Sequence, residues 1–282
     1  MSMLRTSPVR VLDDRDLDAA RALCRRDPVA DVFTAARIEA VGLEPQRLGA
    51  EVWGHSTDGR LDALCYVGAT IAPVQASAAA ARAFAERARR TTRRCSSLNG
   101  PADAVLGMWR LLEGAWGPAR ELRPDQPLLV IDGDPLVEPD PLVRPVVPAE
   151  LDTLLPASIA MFTEEVGVSP TAIDGGALYR ARVGELVHAG RAWARIEDGR
   201  VVFKAEVGAA TGLACQVQGV WVEPSLRGQG LAAAGTAAVV LAARERIASR
   251  VSLYVNGFNT PARAAYARVG FRQVGTFASV LF

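Results

Sequence analysis

The reading turns on Val217-Gln218-Gly219-Val220-Trp221-Val222, followed after a short break by Arg227-Gly228-Gln229-Gly230-Leu231-Ala232. The apolar run reads as a buried strand. Pro224 and Ser225 open a turn, and an alanine-rich helix begins near Gly230. That order aims the first N–H groups of a helix, at the positive end of its dipole, at one spot beside a strand end. Such a spot binds a pyrophosphate without a metal. Gly228 and Gly230 carry no Cβ, so the backbone can approach the phosphates closely. The spacing is Arg-x-x-Gly-x-Ala and not the Gly-x-x-x-x-Gly-Lys-Ser/Thr of a P-loop. On its own the turn fits ordinary strand-to-helix geometry equally well, so a second motif has to decide.

That motif lies downstream. Ser252-Leu253-Tyr254-Val255-Asn256 reads as another strand, and Asn259-Thr260-Pro261-Ala262 as the start of a helix. Asn259 is a good N-cap and Pro261 suits the first turn. The helix is expected from Ala262 to about Val269, stopping at Gly270. Arg-x-x-Gly-x-Ala at 227–232 and Asn-x-x-Ala-x-x-x-Tyr-x-x-x-Gly-Phe at 259–271 occur in that order. Together they resemble the signatures of the GNAT superfamily, the acetyl-CoA-dependent N-acyltransferases. The resemblance implies a mixed α/β fold.

With 282 residues, half of them hydrophobic and 22% charged, the chain can build two domains with sizeable cores. A net charge of +1 argues against a dedicated nucleic-acid binder. No apolar stretch is long enough to span a bilayer, and Met1 to Val11 lacks the apolar core of a secretory leader. Cys24, Cys65, Cys95 and Cys215 are scattered without a Cys-x-x-Cys pair. They are expected to be reduced and mostly buried in a cytoplasmic protein. His55 and His188 are the only histidines, which excludes a multi-histidine metal site, and no metal is expected.

The two halves echo each other. Val9 to Asp18 aligns without gaps on Val143 to Asp152, each reading as a strand followed by a capped helix. Asp58-Gly59-Arg60 and Asp198-Gly199-Arg200 read as matching hairpin turns. Ser97-Leu98-Asn99 and a helix ending at Trp116-Gly117 mirror Ser252 to Asn256 and the helix ending at Gly270. These matches point to tandem copies of one fold. The first copy lacks the phosphate turn. After Gly68 it gives Ala72-Pro73-Val74 and a helix expected from Ala78 to Arg94, with Trp109 roughly where Tyr266 stands. Five prolines between Pro135 and Pro148 suggest a semi-rigid linker. The expected organisation is a degenerate GNAT-like domain over 1–134, a linker over 135–148 and a catalytic domain over 143–282. It resembles a tandem-GNAT family of high-GC bacteria whose first domain is uncharacterised.

The resemblance implies direct attack of a neutral amine on the acetyl-CoA thioester in a ternary complex. Cofactor contacts are expected from Val220, Trp221, Val222, Arg227, Gly228, Gln229, Gly230, Leu231, Ala232 and Asn259. Trp221 serves core packing as readily as ligand contact. Tyr266 is the expected general acid, because a phenol near the sulfur can donate to the departing thiolate. Gln216 stands where some family members place a general-base glutamate, and an amide cannot serve as that base. Glu206, or Glu164 and Glu165 on the acceptor side, are the remaining carboxylates. The acceptor amine and the oligomeric state are left open. A mycothiol-synthase-like aminothiol acetyltransferase and a non-catalytic acyl-CoA sensor or scaffold are the competing readings.

Overall fold

Arg10, in β1 (Val9–Val11), grips Asp16 with two hydrogen bonds of 2.5 and 2.7 Å at the entry to α1 (Leu17–Cys24). The Asp16 carboxylate also accepts from the Asp13 N–H at 3.3 Å, capping the first turn. The same construction recurs later in the chain. Arg144 holds Glu150 at 2.6 and 2.8 Å, and Glu150 accepts from the Val147 N–H just before a helix that opens at Leu151. The gapless sequence match between these segments thus carries one capping device used twice.

The computed structural model describes residues 8–172 and 174–282. Most of the Met1 to Val11 stretch therefore lies outside the described residues. The chain divides into two compact units. One runs up to Leu128 and also takes Gln273–Phe282, and the other is Leu129–Arg272.

In the first unit α2 (Val32–Val41) and α3 (Pro45–Leu48) precede β2 (Glu51–Thr57) and β3 (Arg60–Val67). Asp58 and Gly59, at φ +50° and +77°, make the two-residue turn whose twist suits a hairpin. Then follow β4 (Thr70–Val74), α4 (Ala78–Ala88), β5 (Ser97–Pro101), α5 (Ala102–Trp116) and β6 (Glu121–Ile131), which runs to the boundary between the units. Strands β1 to β4 pair antiparallel and β4 pairs parallel with β5. Phe84, Met108, Trp109 and Leu112 belong to one of the unit's core clusters, and Leu23, Ile38, Leu43 and Leu64 to another.

Parallel pairing of β4 with β5 is confined to Thr70–Ser97 and Ile71–Leu98. Pro73 then packs on Gly100, where a Cβ would sit 3.4 Å from Pro73 Cδ. At the start of α4, Ser77 caps its own helix by accepting from the Ala80 N–H. Asp31 is buried beside this segment and accepts from Gln75 Nε2 at 2.6 Å. Burial pushes the Asp31 carboxyl up to about 7. The folded state therefore holds a proton that the unfolded chain releases near pH 4, and stability falls as pH rises between these values. Asp31→Asn keeps an acceptor for Gln75 without the charge. It is expected to raise the thermal midpoint by several degrees at pH 8 and by little at pH 4, followed by calorimetry at both. An equal shift at the two pH values would contradict a buried, titrating carboxyl.

The second unit holds β7 (Arg144–Pro145), α6 (Leu151–Val166), α7 (Ala177–His188), β8 (Ala192–Glu197), β9 (Arg200–Ala210), β10 (Cys215–Val222), α8 (Leu231–Arg246), β11 (Val251–Tyr254) and α9 (Thr260–Val269). The order β11-β10-β9-β8-β7 is antiparallel except for β10–β11. Leu154, Val183, Leu186 and Trp221 form the core under α6 and α7. Phe203, Val239, Val240 and Val269 form the core under α8 and α9. Gly235 lets α8 settle onto Phe203, since a Cβ there would lie 2.7 Å from the ring.

Three expectations change. The last strand, β12 (Arg272–Leu281), pairs antiparallel with β5 from Leu281–Ser97 to Phe277–Pro101. It thus completes the first unit, so a division with 143–282 as one unit does not match the packing. The proline-rich segment 135–148, expected as a semi-rigid linker, is packed into the second unit. Val137, Val143 and Val146 pack into second-unit cores, and Asp140 accepts from Arg195 at 2.9 Å. Finally, α4 ends at Ala88 and not at Arg94. Arg87, in its last turn, stacks over Trp53, and Arg93, beyond the helix, over Phe282.

Candidate acetyl-transfer site

Cys215–Val251 and Gln216–Ser252 are the whole of the parallel pairing between β10 and β11. Beyond Gln216 the two strands part. One edge of Val217 to Val222 is thereby released from the sheet ladder, while the other stays paired to β9. A released strand edge offers N–H and C=O groups to an extended, amide-rich ligand. Val220 is half-buried, whereas Trp221 and Val222 are buried. The Trp221 ring belongs to the core under α6 and α7, and its Nε1 donates to Glu164 at 3.1 Å. Of the three, Trp221 thus has only its backbone to offer a ligand.

Next comes the helix start. A one-turn helix at Pro224–Leu226 leads into Gly228 (φ +80°) and Gly230 (φ +86°), both left-handed and exposed. Gly230 is the N-cap of α8, and its carbonyl accepts from Ala233 and Ala234. Among the described residues the amides of Gly228 to Ala232 donate to no backbone carbonyl. They form an exposed anion cradle at the positive end of a 16-residue helix. A Cβ on Gly228 or Gly230 would meet open space. What requires glycine here is the positive φ, in addition to close approach of a ligand. Arg227 shapes the loop from outside, with Nε on the Val222 carbonyl at 3.1 Å and Nη2 on Glu164 at 2.8 Å.

Across the parting strands stands α9. The Asn259 side chain accepts from the Ala262 N–H at 3.2 Å, so it caps this helix. Tyr266 is buried against Phe271, and among the described residues its hydroxyl has no hydrogen-bond partner. Burial first, and then the negative charge of Glu165, push this hydroxyl above its ordinary range. It therefore stays protonated and can serve as a proton donor.

The three carboxylates named from sequence fall into different settings. Glu164 is shared between Trp221 and Arg227, which makes it a brace for the loop. Glu165 is exposed, accepts from Asn256 Nδ2 at 3.1 Å and acts electrostatically on Tyr266. Glu206 is buried, with Lys204 Nζ at 3.2 Å on one oxygen and Gln218 Nε2 at 2.9 Å on the other. Sequence reading overlooked Asn256, Lys204 and Gln218 as members of this site. Lys204, the chain's single lysine in a run of apolar residues, was the available signal.

Among the described residues no group of three or more His, Cys, Asp or Glu side chains could hold a metal ion. All four cysteines are buried, and burial pushes the Cys24 and Cys215 thiols up to about 12. Among the described residues no helix is long and apolar enough to cross a membrane.

Comparison with known families bears directly on this geometry. Residues 169–271, which span β10, the glycine turn, α8, β11 and α9, match the model of the acetyltransferase (GNAT) family. This segment is a GNAT domain. Residues 50–154 match a domain of unknown function, DUF4081, and this match runs on past Leu128 into α6. Glu164 and Glu165 lie between the two matches. Solved structures with the same fold include a Drosophila protein, at TM-score 0.63 and 14% identity, with 98% of this chain and 99% of that one covered. A tandem GNAT protein from the clavulanic acid biosynthesis pathway, solved without acetyl-CoA, gives 0.55 at 14% identity, covering 97% of this chain and 98% of that one. A GNAT-family acetyltransferase from Colwellia psychrerythraea gives 0.55 at 12%, covering 97% and 99%. At such identities the likeness concerns the fold. No curated protein matches the chain.

Proposed function

We propose that the second unit is an acetyl-CoA-dependent N-acetyltransferase acting on a primary amine in a ternary complex, in a cytoplasmic protein. The observation that carries this reading is the parting of β10 from β11 beside the free amides of Gly228 to Ala232. A strand edge for the pantetheine and a helix terminus for the pyrophosphate stand in the order that acetyl-CoA requires. In the reaction the amine nitrogen attacks the thioester carbon, forming the amide C–N bond as the C–S bond breaks. Tyr266 gives its proton to the departing sulfur. Glu165 takes the proton released by nitrogen, directly or through water, then gives it up to solvent, while solvent returns a proton to Tyr266.

Glu165 is the better base on geometry. It is exposed, oriented by Asn256 and close enough to act electrostatically on Tyr266. Glu206, another of the carboxylates named from sequence, is buried with both oxygens engaged by Lys204 and Gln218. The test is thiol release from acetyl-CoA across a panel of small amines, amino sugars and peptides. The expected result is acceptor-dependent release with at least one class. Tight acetyl-CoA binding without release for any acceptor would make the protein a sensor and overturn the enzyme reading.

A further inference from the structure

Lys204 has no part in the chemistry above, yet it is 1% exposed and paired with a buried carboxylate. In β9 the side chains of Phe203, Ala205 and Val207 enter the core under α8, leaving Lys204 and Glu206 on the α6 face. Their cross-strand partners in β10 are Trp221 for Lys204 and Gln218 for Glu206. Between these pairs β9 has one residue, Ala205, and β10 has two, Gly219 and Val220, which form a bulge. Gly219 has φ +60°, and a Cβ there would lie 3.1 Å from Lys204 Nζ and 3.2 Å from Glu206 Cδ. The ion pair sits directly against the bulge, in room that only glycine leaves.

A bulge is poorly held by its ladder, and a one-residue slip would turn every later side chain to the other face. Here both flanks are pinned. Gln218 is tied to Glu206 at 2.9 Å before the bulge, and Trp221 to Glu164 at 3.1 Å after it. A buried ion pair adds little net stability over apolar side chains of similar size. Its effect at this place is geometric.

We propose that Lys204 is a positioning residue for acetyl transfer. Through Glu206 and Gln218 it sets the Gly219–Val220 bulge and so aims the released backbone of Val220 to Val222 at the thioester. This rests on the acetyl-CoA reading of that strand. The test replaces both charges, Lys204→Met with Glu206→Met, so that no unpaired buried charge remains. Three quantities are measured: the thermal midpoint, hydrogen exchange of peptides covering 217–222 in ligand-free protein, and acetyl-CoA affinity by calorimetry.

The expected result is a midpoint within a few degrees of wild type, exchange at 217–222 about tenfold faster, and acetyl-CoA affinity about tenfold weaker. Unchanged exchange and affinity would overturn the proposal, as would a lower midpoint with affinity retained. Gln218→Met, at an exposed side chain, serves if the double variant does not fold. It should move exchange and affinity the same way by a smaller factor, and no change in either would count equally against the proposal. A wild-type protein that binds no acetyl-CoA would remove the acetyltransferase reading, and the positioning role with it. The exchange measurement would still decide whether the pair holds the bulge.

Discussion

Gly230→Asp is expected to weaken acetyl-CoA binding by about 100-fold or more, while Gly230→Asn weakens it by less than about tenfold. Gly230 sits at φ +86° with open space where a Cβ would stand, so neither side chain meets a clash. Asp and Asn both tolerate the left-handed conformation better than other residues. They differ in charge. The aspartate places an anion among the free amides of Gly228 to Ala232, where the pyrophosphate would lie. Two unit charges about 5 Å apart at an effective dielectric of about 20 repel by about 3 kcal/mol, which is roughly a 100-fold change in affinity. Calorimetric titration of both variants checks the difference. Equal loss in both would assign the effect to backbone strain, and no loss in either would remove the phosphate from this turn.

Tyr266→Phe is expected to lower turnover by about 10²- to 10⁴-fold, the usual contribution of a positioned acid, with acetyl-CoA affinity nearly unchanged. The ring keeps its edge contact with Phe271, with centroids 5.9 Å apart, and among the described residues the lost hydroxyl breaks no hydrogen bond. Folding should therefore be spared, and the thermal midpoint of the variant checks that directly. Steady-state kinetics with saturating amine separate the possibilities. A rise in the Michaelis constant for acetyl-CoA larger than the fall in turnover would mean that the hydroxyl holds the cofactor. Full activity at every pH would take Tyr266 out of the mechanism and leave the thiolate to depart unaided.

Local rules made the core of the site legible. Glycines at 228 and 230, an Asn-x-Pro start at 259–261 and a Gly270 stop each require one backbone geometry, and those geometries place the glycine turn, α8 and α9 where they are found. The duplicated Arg–acid caps and the Asp-Gly hairpins are local in the same sense.

What escaped sequence reading depends on contacts between distant residues. The alternation in β12 says that one face is buried, but not that β5 is its neighbour. Prolines between 135 and 148 suggest a linker, whereas Asp140 is held by Arg195 on β8. Glu164 and Glu165 look alike in sequence. Arg227 and Trp221 take the first as a brace, Asn256 orients the second, and none of those partners is near them in the chain. Nor does sequence show that Lys204 and Gln218 engage both oxygens of Glu206.

The two units differ where a cofactor would enter. In the second the strands part beside free amides, whereas in the first Pro73 closes on Gly100 and Ser77 caps its own helix. Calorimetric titration of acetyl-CoA into the intact wild-type chain tests this contrast and the cofactor assignment together. The account predicts saturable binding with one acetyl-CoA per chain. No binding, or two equivalent sites per chain, would contradict it.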